Sequence, residues 1–299
     1  MEIVEFNGWK NCVRLANREV ETIVTTDVGP RVIRFGFLGR RNLFAEIAGE
    51  QGGQGEPTWK IRGGHRLWLA PEDRRRTYEL DNSPVNAEPI GSGVRIVQNP
   101  GPVSGVEKRI EITLERRRNR VQIEHILVNR SDSMVRLAPW ALTVMAPDGM
   151  ALVPLPPKIS HKRRLTHNQE WSIWGYTDFA DGRWTFGSRY IFFRHDRKRG
   201  PGKLGIAHRQ GWVGYWLDGF LFVKRFGWIE GATYPDGGVN FETFANEDFL
   251  ELESLGPLVD LAPGGSVQHD EVWELFRDVP PIRSESDVSK KVLPLIAAD

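Results

Sequence analysis

Lys108-Arg109-Ile110-Glu111-Ile112-Thr113-Leu114-Glu115 decides the fold class. Ile110, Ile112 and Leu114 point one way along an extended chain and Arg109, Glu111, Thr113 and Glu115 the other, the pattern of a strand with one buried face. An arginine-rich break at 116–120 leads into a second apolar run at 121–128, so the two runs read as a hairpin. Working outward, further strands are expected at 21–26, 31–37, 94–98, 136–145, 190–194, 214–217, 220–226, 248–255 and 267–276, with Gly and Pro in nearly every gap. Helical signals are confined to the tail from Ser284, where Ser284 is an N-cap candidate and Val288 and Val292 share a face; Pro294 is expected to cut that helix short. No repeat of fixed period is present, which argues against a propeller or solenoid. The expected fold is all-β: a large antiparallel two-sheet sandwich, with more strands than the roughly seven to nine of an immunoglobulin-like domain.

The 299 residues read as a single domain, 1–299. Residues 49–56 carry four glycines, yet strands continue on both sides and the preceding part is too small to fold alone, so an exposed loop is expected there. A hydrophobic content of 40% supplies a sizeable core, and a net charge of +1 gives no argument for a nucleic-acid partner. The lone Cys12 excludes an intrachain disulfide and a thiolate metal cluster. The seven histidines are scattered without a helical His-x-x-x-His pair, and no phosphate loop or nucleophile elbow occurs, so neither a metal site nor a cofactor is expected. Met1-Glu2-Ile3-Val4-Glu5 lacks the basic and apolar regions of a signal peptide, and no apolar run reaches membrane-spanning length. A cytoplasmic protein with no membrane partner is expected; its oligomeric state is open.

Three separated motifs carry polar and aromatic groups suited to a polyhydroxylated ligand: 63–68 (Gly-Gly-His-Arg-Leu-Trp), 234–238 (Tyr-Pro-Asp-Gly-Gly) and 252–257 (Leu-Glu-Ser-Leu-Gly-Pro). In the first, two glycines allow a ligand or another backbone to approach, and His65 is a candidate proton donor; the alternative is a bulge beside a structural histidine. Arg66 supplies a fork for hydroxyls or a carboxylate, and Trp68 a face for sugar C–H groups. Glu72 follows, and Arg74-Arg75-Arg76 reads as a solvated loop. Trp140 sits in an apolar strand, as a stacking ring or a core residue. Trp171, Trp174, Tyr176 and Trp184 fall in a polar, Gly-containing segment, either as a stacking wall or as a loop folded over its own rings. Lys224 shares a strand face with Phe222 and Phe226 and is expected to point inward or into a cleft. Tyr234 and Asp236 occupy a turn, Glu242 a short strand. Glu251 and Glu253 share one face of a later strand, where Glu253 is a candidate carboxylate base.

With these residues in view, the chain resembles the galactose mutarotase-like, or aldose 1-epimerase-like, superfamily, most closely a bacterial branch of it. The resemblance runs from about Thr25 to Phe276. It rests on Asp27-Val28-Gly29-Pro30-Arg31-Val32-Ile33 with Arg41-Asn42-Leu43 near the start. At the end it rests on Phe249-Leu250-Glu251-Leu252-Glu253-Ser254, Leu261-Ala262-Pro263-Gly264-Gly265-Ser266 and Glu271-Val272-Trp273. It implies a β-supersandwich with a sugar cleft across a concave sheet, in which a late-strand Glu takes the anomeric proton and a His protonates the ring oxygen. Glu253 falls on that base, and His65 lies close to the family's first glycine-flanked His. Where the family has an Asn-His pair leading into a mid-chain strand, this chain has Ala138-Pro139-Trp140.

The expected function is carbohydrate recognition, as an aldose epimerase or mutarotase with Glu253 as base and His65 as donor. Arg66, Glu72, Lys224, Asp236 and Glu242 would hold the polar groups of a neutral or acidic sugar. Trp68, Trp140 and Trp174 would stack on its ring, with Tyr176 and Tyr234 as further binding residues and Tyr234 or Lys224 as substitutes for the missing donor. The alternatives are a non-catalytic sugar-binding protein and, on different grounds, an interaction protein whose aromatic loops meet a partner.

Overall fold

The structure, a computed structural model, describes residues 1–297. Among them two antiparallel sheets face each other. The first runs, in spatial order, β1 (Glu2–Phe6), β2 (Trp9–Ala16), β3 (Val20–Thr25), β4 (Arg31–Phe37), β5 (Gly64–Ala70), β10 (Val135–Met145), β19 (Leu250–Leu255), β18 (Phe241–Ala245), β15 (Gly202–Ile206) and β12 (Trp171–Ile173), with β20 (Val259–Leu261) paired to one end of β10. The second runs β13 (Trp184–Phe186), β14 (Tyr190–Arg194), β11 (Met150–Pro154), β16 (Trp212–Leu217), β17 (Phe220–Phe226), β21 (Ser266–Phe276), β9 (Arg120–Asn129), β8 (Val106–Leu114), β7 (Gly93–Gln98) and β6 (Asn86–Ile90).

The expected hairpin is β8 and β9, paired from Val106↔Asn129 to Leu114↔Val121. Burial along β8 alternates strictly, and Ile110, Ile112 and Leu114 belong to the same core between the sheets as Phe35, Leu67 and Val24. In β4, β5, β10 and β19 every residue but the first two of β10 is buried, because these strands are covered on both faces. One face meets the second sheet; the other forms the floor of a cleft.

The tail is helical through Pro294. Ser284 Oγ accepts from the Asp287 N–H, and short helical segments run Glu285–Asp287, Val288–Val292 (a π-turn) and Leu293–Ile296. Pro294 lies in the first turn of the last segment, where its missing N–H costs no helical bond. This corrects the expected break. Val288, Val292 and Ile296 cover Leu152, Leu221 and Val223 on the outer face of the second sheet. No helix among the described residues is long and apolar enough to cross a membrane.

Candidate functional site

Strand register assembles the cleft. Trp68 pairs with Trp140, Arg66 with Leu142, Leu142 with Glu253 and Glu253 with Glu242, so residues from β5, β10, β19 and β18 stand on one face. Lys203 joins them from β15, opposite Phe244. The resulting cavity, about 260 Å³, is walled by Trp59, Trp68, Tyr78, Trp140, Tyr176 and Phe244 and carries Arg66, Glu72, Lys203, Asn246, Glu251 and Glu253. It lies just below the roughly 300–1,000 Å³ of pockets for drug-sized ligands, a size for one sugar ring rather than an oligosaccharide.

Glu253 is fully buried at the floor. Its Oε2 accepts from Trp140 Nε1 and Lys203 Nζ, both at 3.0 Å, while Oε1 has no partner among the described residues. A buried carboxylate oxygen without a donor is costly unless a ligand or water satisfies it. Lys203 Nζ also lies 2.6 Å from Glu242 Oε2 and between the rings of Trp140 (4.8 Å) and Trp174 (4.7 Å). Burial alone would depress the Lys203 ammonium, but Glu253 and Glu242 outweigh it and hold its pKa above the usual lysine range. Burial pushes the Glu242 carboxyl well above its ordinary range, and it raises that of Asp236 as well.

Arg66 pairs with Glu251 at 3.0 Å and lies 4.1 Å from the Trp68 ring centre. Burial raises the Glu251 carboxyl against the pull of Arg66. Tyr78 donates to Glu72 at 2.5 Å and packs edge-on against Trp59 and Trp68. Tyr176, half exposed at the rim, has its phenol pushed up to about 12 by burial.

Of the residues singled out in the sequence, Glu253, Arg66, Trp68, Glu72, Trp140 and Tyr176 line the cavity, with Trp174 and Glu242 against Lys203 and Asp236 within the reach of its charge. Three do not reach it. His65 lies one residue from Arg66 on β5 and so points the opposite way, into the space between the sheets. There its Nδ1 meets Thr143 Oγ1 at 2.8 Å and its Nε2 meets His125 Nε2 at 2.7 Å. Lys224 is in that same space, paired with Glu271 at 2.8 Å and donating to the Leu252 and Ala141 carbonyls. Tyr234 stacks on Trp228, and its hydroxyl accepts from the Ile229 N–H. The glycines before His65 serve backbone packing: a Cβ on Gly63 would lie 1.9 Å from Ala45 O, and one on Gly64 2.4 Å from Val32 O. Trp171 and Trp184 stack with Phe186 away from the cleft.

The sequence reading missed Lys203, Trp59 and Tyr78. Lys203 stands in Gly202-Lys203-Leu204-Gly205, where the flanking glycines weaken any strand signal; an isolated Lys between glycines was the available clue. Among the described residues one donor set suited to a metal does form: a nitrogen of His65, one of His125 and an oxygen of Glu271 lie within 4.8 Å of one another. The Lys224 ammonium already neutralises that carboxylate, so a divalent ion would leave uncompensated positive charge in the core.

No protein-family model matches the sequence, and no curated protein does. Solved structures do match. The chain is similar to Slr1438 from Synechocystis sp. PCC 6803 (TM-score 0.60, 11% identity, covering 93% of this chain and 100% of that one). It is similar to a galactose mutarotase-like protein from Lactobacillus casei (TM-score 0.58, 9% identity, 89% and 100% covered). It is also similar to a galactose mutarotase related enzyme from Lactobacillus acidophilus (TM-score 0.59, 9% identity, 91% and 100% covered). The fold is that of the galactose mutarotase-like proteins.

Proposed function

We propose that this mutarotase-like sandwich binds a monosaccharide in the cleft over Glu253 and interconverts its anomers, with Glu253 as the base. The observation that carries the reading is the unpartnered, buried Glu253 Oε1 on the floor of an aromatic-walled cavity of about 260 Å³. Oε1 takes the anomeric hydroxyl proton. The C1–O5 bond then breaks, its electron pair moves to O5, and C1=O1 forms. His65 is not the donor in this scheme, because it faces the opposite side of β5. Glu251 is: it stands two residues from Glu253 on the same face, roughly 7 Å along the strand, and burial helps it to retain a proton. Lys203 supplies positive charge beside the reacting oxygens. Rotation about C1–C2 and reclosure by the reverse transfers give the other anomer.

The cleft favours a neutral aldose. Lys203 is matched by Glu242 and Glu253, and Arg66 is needed by Glu251 once that group has given up its proton, so a sugar carboxylate at Arg66 would compete with the transfer. Binding without turnover is the second reading, favoured by the ion pair between Lys203 and the carboxylate that must accept the proton.

NMR magnetisation exchange between the α and β anomers of neutral aldoses tests the proposal. Acceleration by the protein, reduced at least about 100-fold by Glu253→Gln and by Glu251→Gln, is the expected result. Exchange at the buffer rate for every sugar that binds rejects the enzymatic form in favour of a binding protein.

A further inference from the structure

At one end of the sandwich, the turn between β2 and β3 meets the turn between β8 and β9 over a groove of about 770 Å³ that shares no residue with the sugar cleft. Arg18, Arg116, Arg117, Arg118 and Arg120 line it, against Glu19 and Glu274, a formal charge of +3 in a chain whose total is +1. Both acids are engaged by other groups. Arg225 Nε donates to Glu274 Oε2 at 2.7 Å, and Asn119 Nδ2 donates to Glu19 Oε2 at 3.1 Å with Arg277 3.7 Å away. Among the described residues, the side chains of Arg18, Arg116 and Arg117 have no ion-pair or hydrogen-bond partner.

The backbone that carries these arginines is pinned. Asn17 Nδ2 donates to the Glu115 and Arg118 carbonyls at 2.9 and 2.8 Å, while Asn17 Oδ1 accepts from the Glu19 and Val20 N–H groups at 2.9 Å each. One side chain thus staples a turn of the first sheet to a turn of the second. The Leu275 N–H adds a bond to the Asn119 carbonyl at 3.0 Å. The groove is therefore formed in advance, and a ligand need order only the guanidinium ends.

We propose that this groove is a second binding site, for an organic diphosphate of the nucleoside diphosphate kind. Guanidinium forks match phosphate oxygens in pairs, and three unpartnered forks spread over two turns, Arg18 on one and Arg116 and Arg117 on the other, give two linked phosphates separate partners. A diphosphate ester carries about three negative charges, with roughly −1.5 to −2 on its terminal phosphate, which complements the groove's charge. The volume exceeds that of an inorganic anion, and Leu275 and Phe276 give the organic portion an apolar surface.

Calorimetric titration with ADP and with inorganic pyrophosphate at low salt tests the proposal. The proteins compared are the unaltered chain, the Arg116→Gln/Arg117→Gln variant, and an Arg74→Gln/Arg75→Gln control in an exposed turn elsewhere. One-to-one saturation by ADP, tighter than by pyrophosphate, is expected, weakened at least tenfold in the groove variant and unchanged in the control. Failure of ADP to saturate, or equal loss in both variants, overturns the site. Binding that instead strengthens with the length of a single-stranded oligonucleotide while ADP leaves no signal assigns the groove to a polymer and overturns it too.

Discussion

Lys203 holds the cleft together, although nothing in its sequence surroundings advertises it. Its ammonium stands between Glu242 and Glu253 and between two indole rings, so it neutralises two carboxyl groups that would otherwise face each other in a dry site. Lys203→Met removes that charge while keeping most of the volume. Urea unfolding should show a loss of about 3–5 kcal/mol, the usual cost of breaking a buried ion pair from one side. An unchanged midpoint would mean that the carboxyls are satisfied by other means. The residue scale also explains which site members were legible. Glu253 was readable because it alternates with Leu250 and Leu252. His65 and Arg66 were both plausible, yet adjacent strand residues face opposite ways, and only the pairing of Arg66 with Leu142 decides which one enters the cleft.

At the scale of the element, β5 is the strand whose placement sets the site. Gly63 just before it and Gly64 at its start have φ of +90° and +70° and allow Ala45 and Val32 to approach as backbone, which brings β5 beside β4 and presents Arg66 and Trp68 to the cleft. Gly63→Ala should therefore cost roughly 2–3 kcal/mol. It should weaken sugar binding as well, measured by thermal unfolding and titration in parallel; an alanine accommodated without loss would refute the close approach. Apolar alternation revealed strands such as β8 because one face meets water. It did not reveal β5 or β15, where Gly, His, Arg and Lys interrupt the apolar pattern although every residue is buried. Behind the cleft, Lys224 of β17 donates to the carbonyls of Ala141 and Leu252, and Ser254 Oγ donates to Glu271. The expectation that Lys224 points inward was sound in direction. Its destination was the space between the sheets.

Across the whole molecule, that space holds an unusual amount of polarity for a sandwich core: His65, His125, His269, Lys224 and Glu271 are all buried. Burial depresses all three histidines, His269 to about 3. A histidine whose folded pKa lies below its unfolded value binds fewer protons in the native state, so stability is fully present above pH of about 6.5 and is lost as pH falls toward the folded value. His269 alone should remove up to about 1.4 kcal/mol per pH unit in that window, visible as a falling urea midpoint between pH 6.5 and 5. A flat profile would show that these histidines are already charged in the fold. The sandwich as a whole could be read from strand patterning and from the resemblance at both ends of the chain. The cleft could not be read completely, because it is assembled from five strands whose order in the sheet departs from their order in the sequence. A titration of neutral aldoses followed by tryptophan fluorescence tests for a sugar over Glu253, since Trp59, Trp68 and Trp140 line the cavity. A saturable change with one sugar, abolished by Trp68→Ala and strongly weakened by Glu253→Ala, is predicted; fluorescence that no aldose alters, or a change that survives both substitutions, would contradict a sugar site over Glu253.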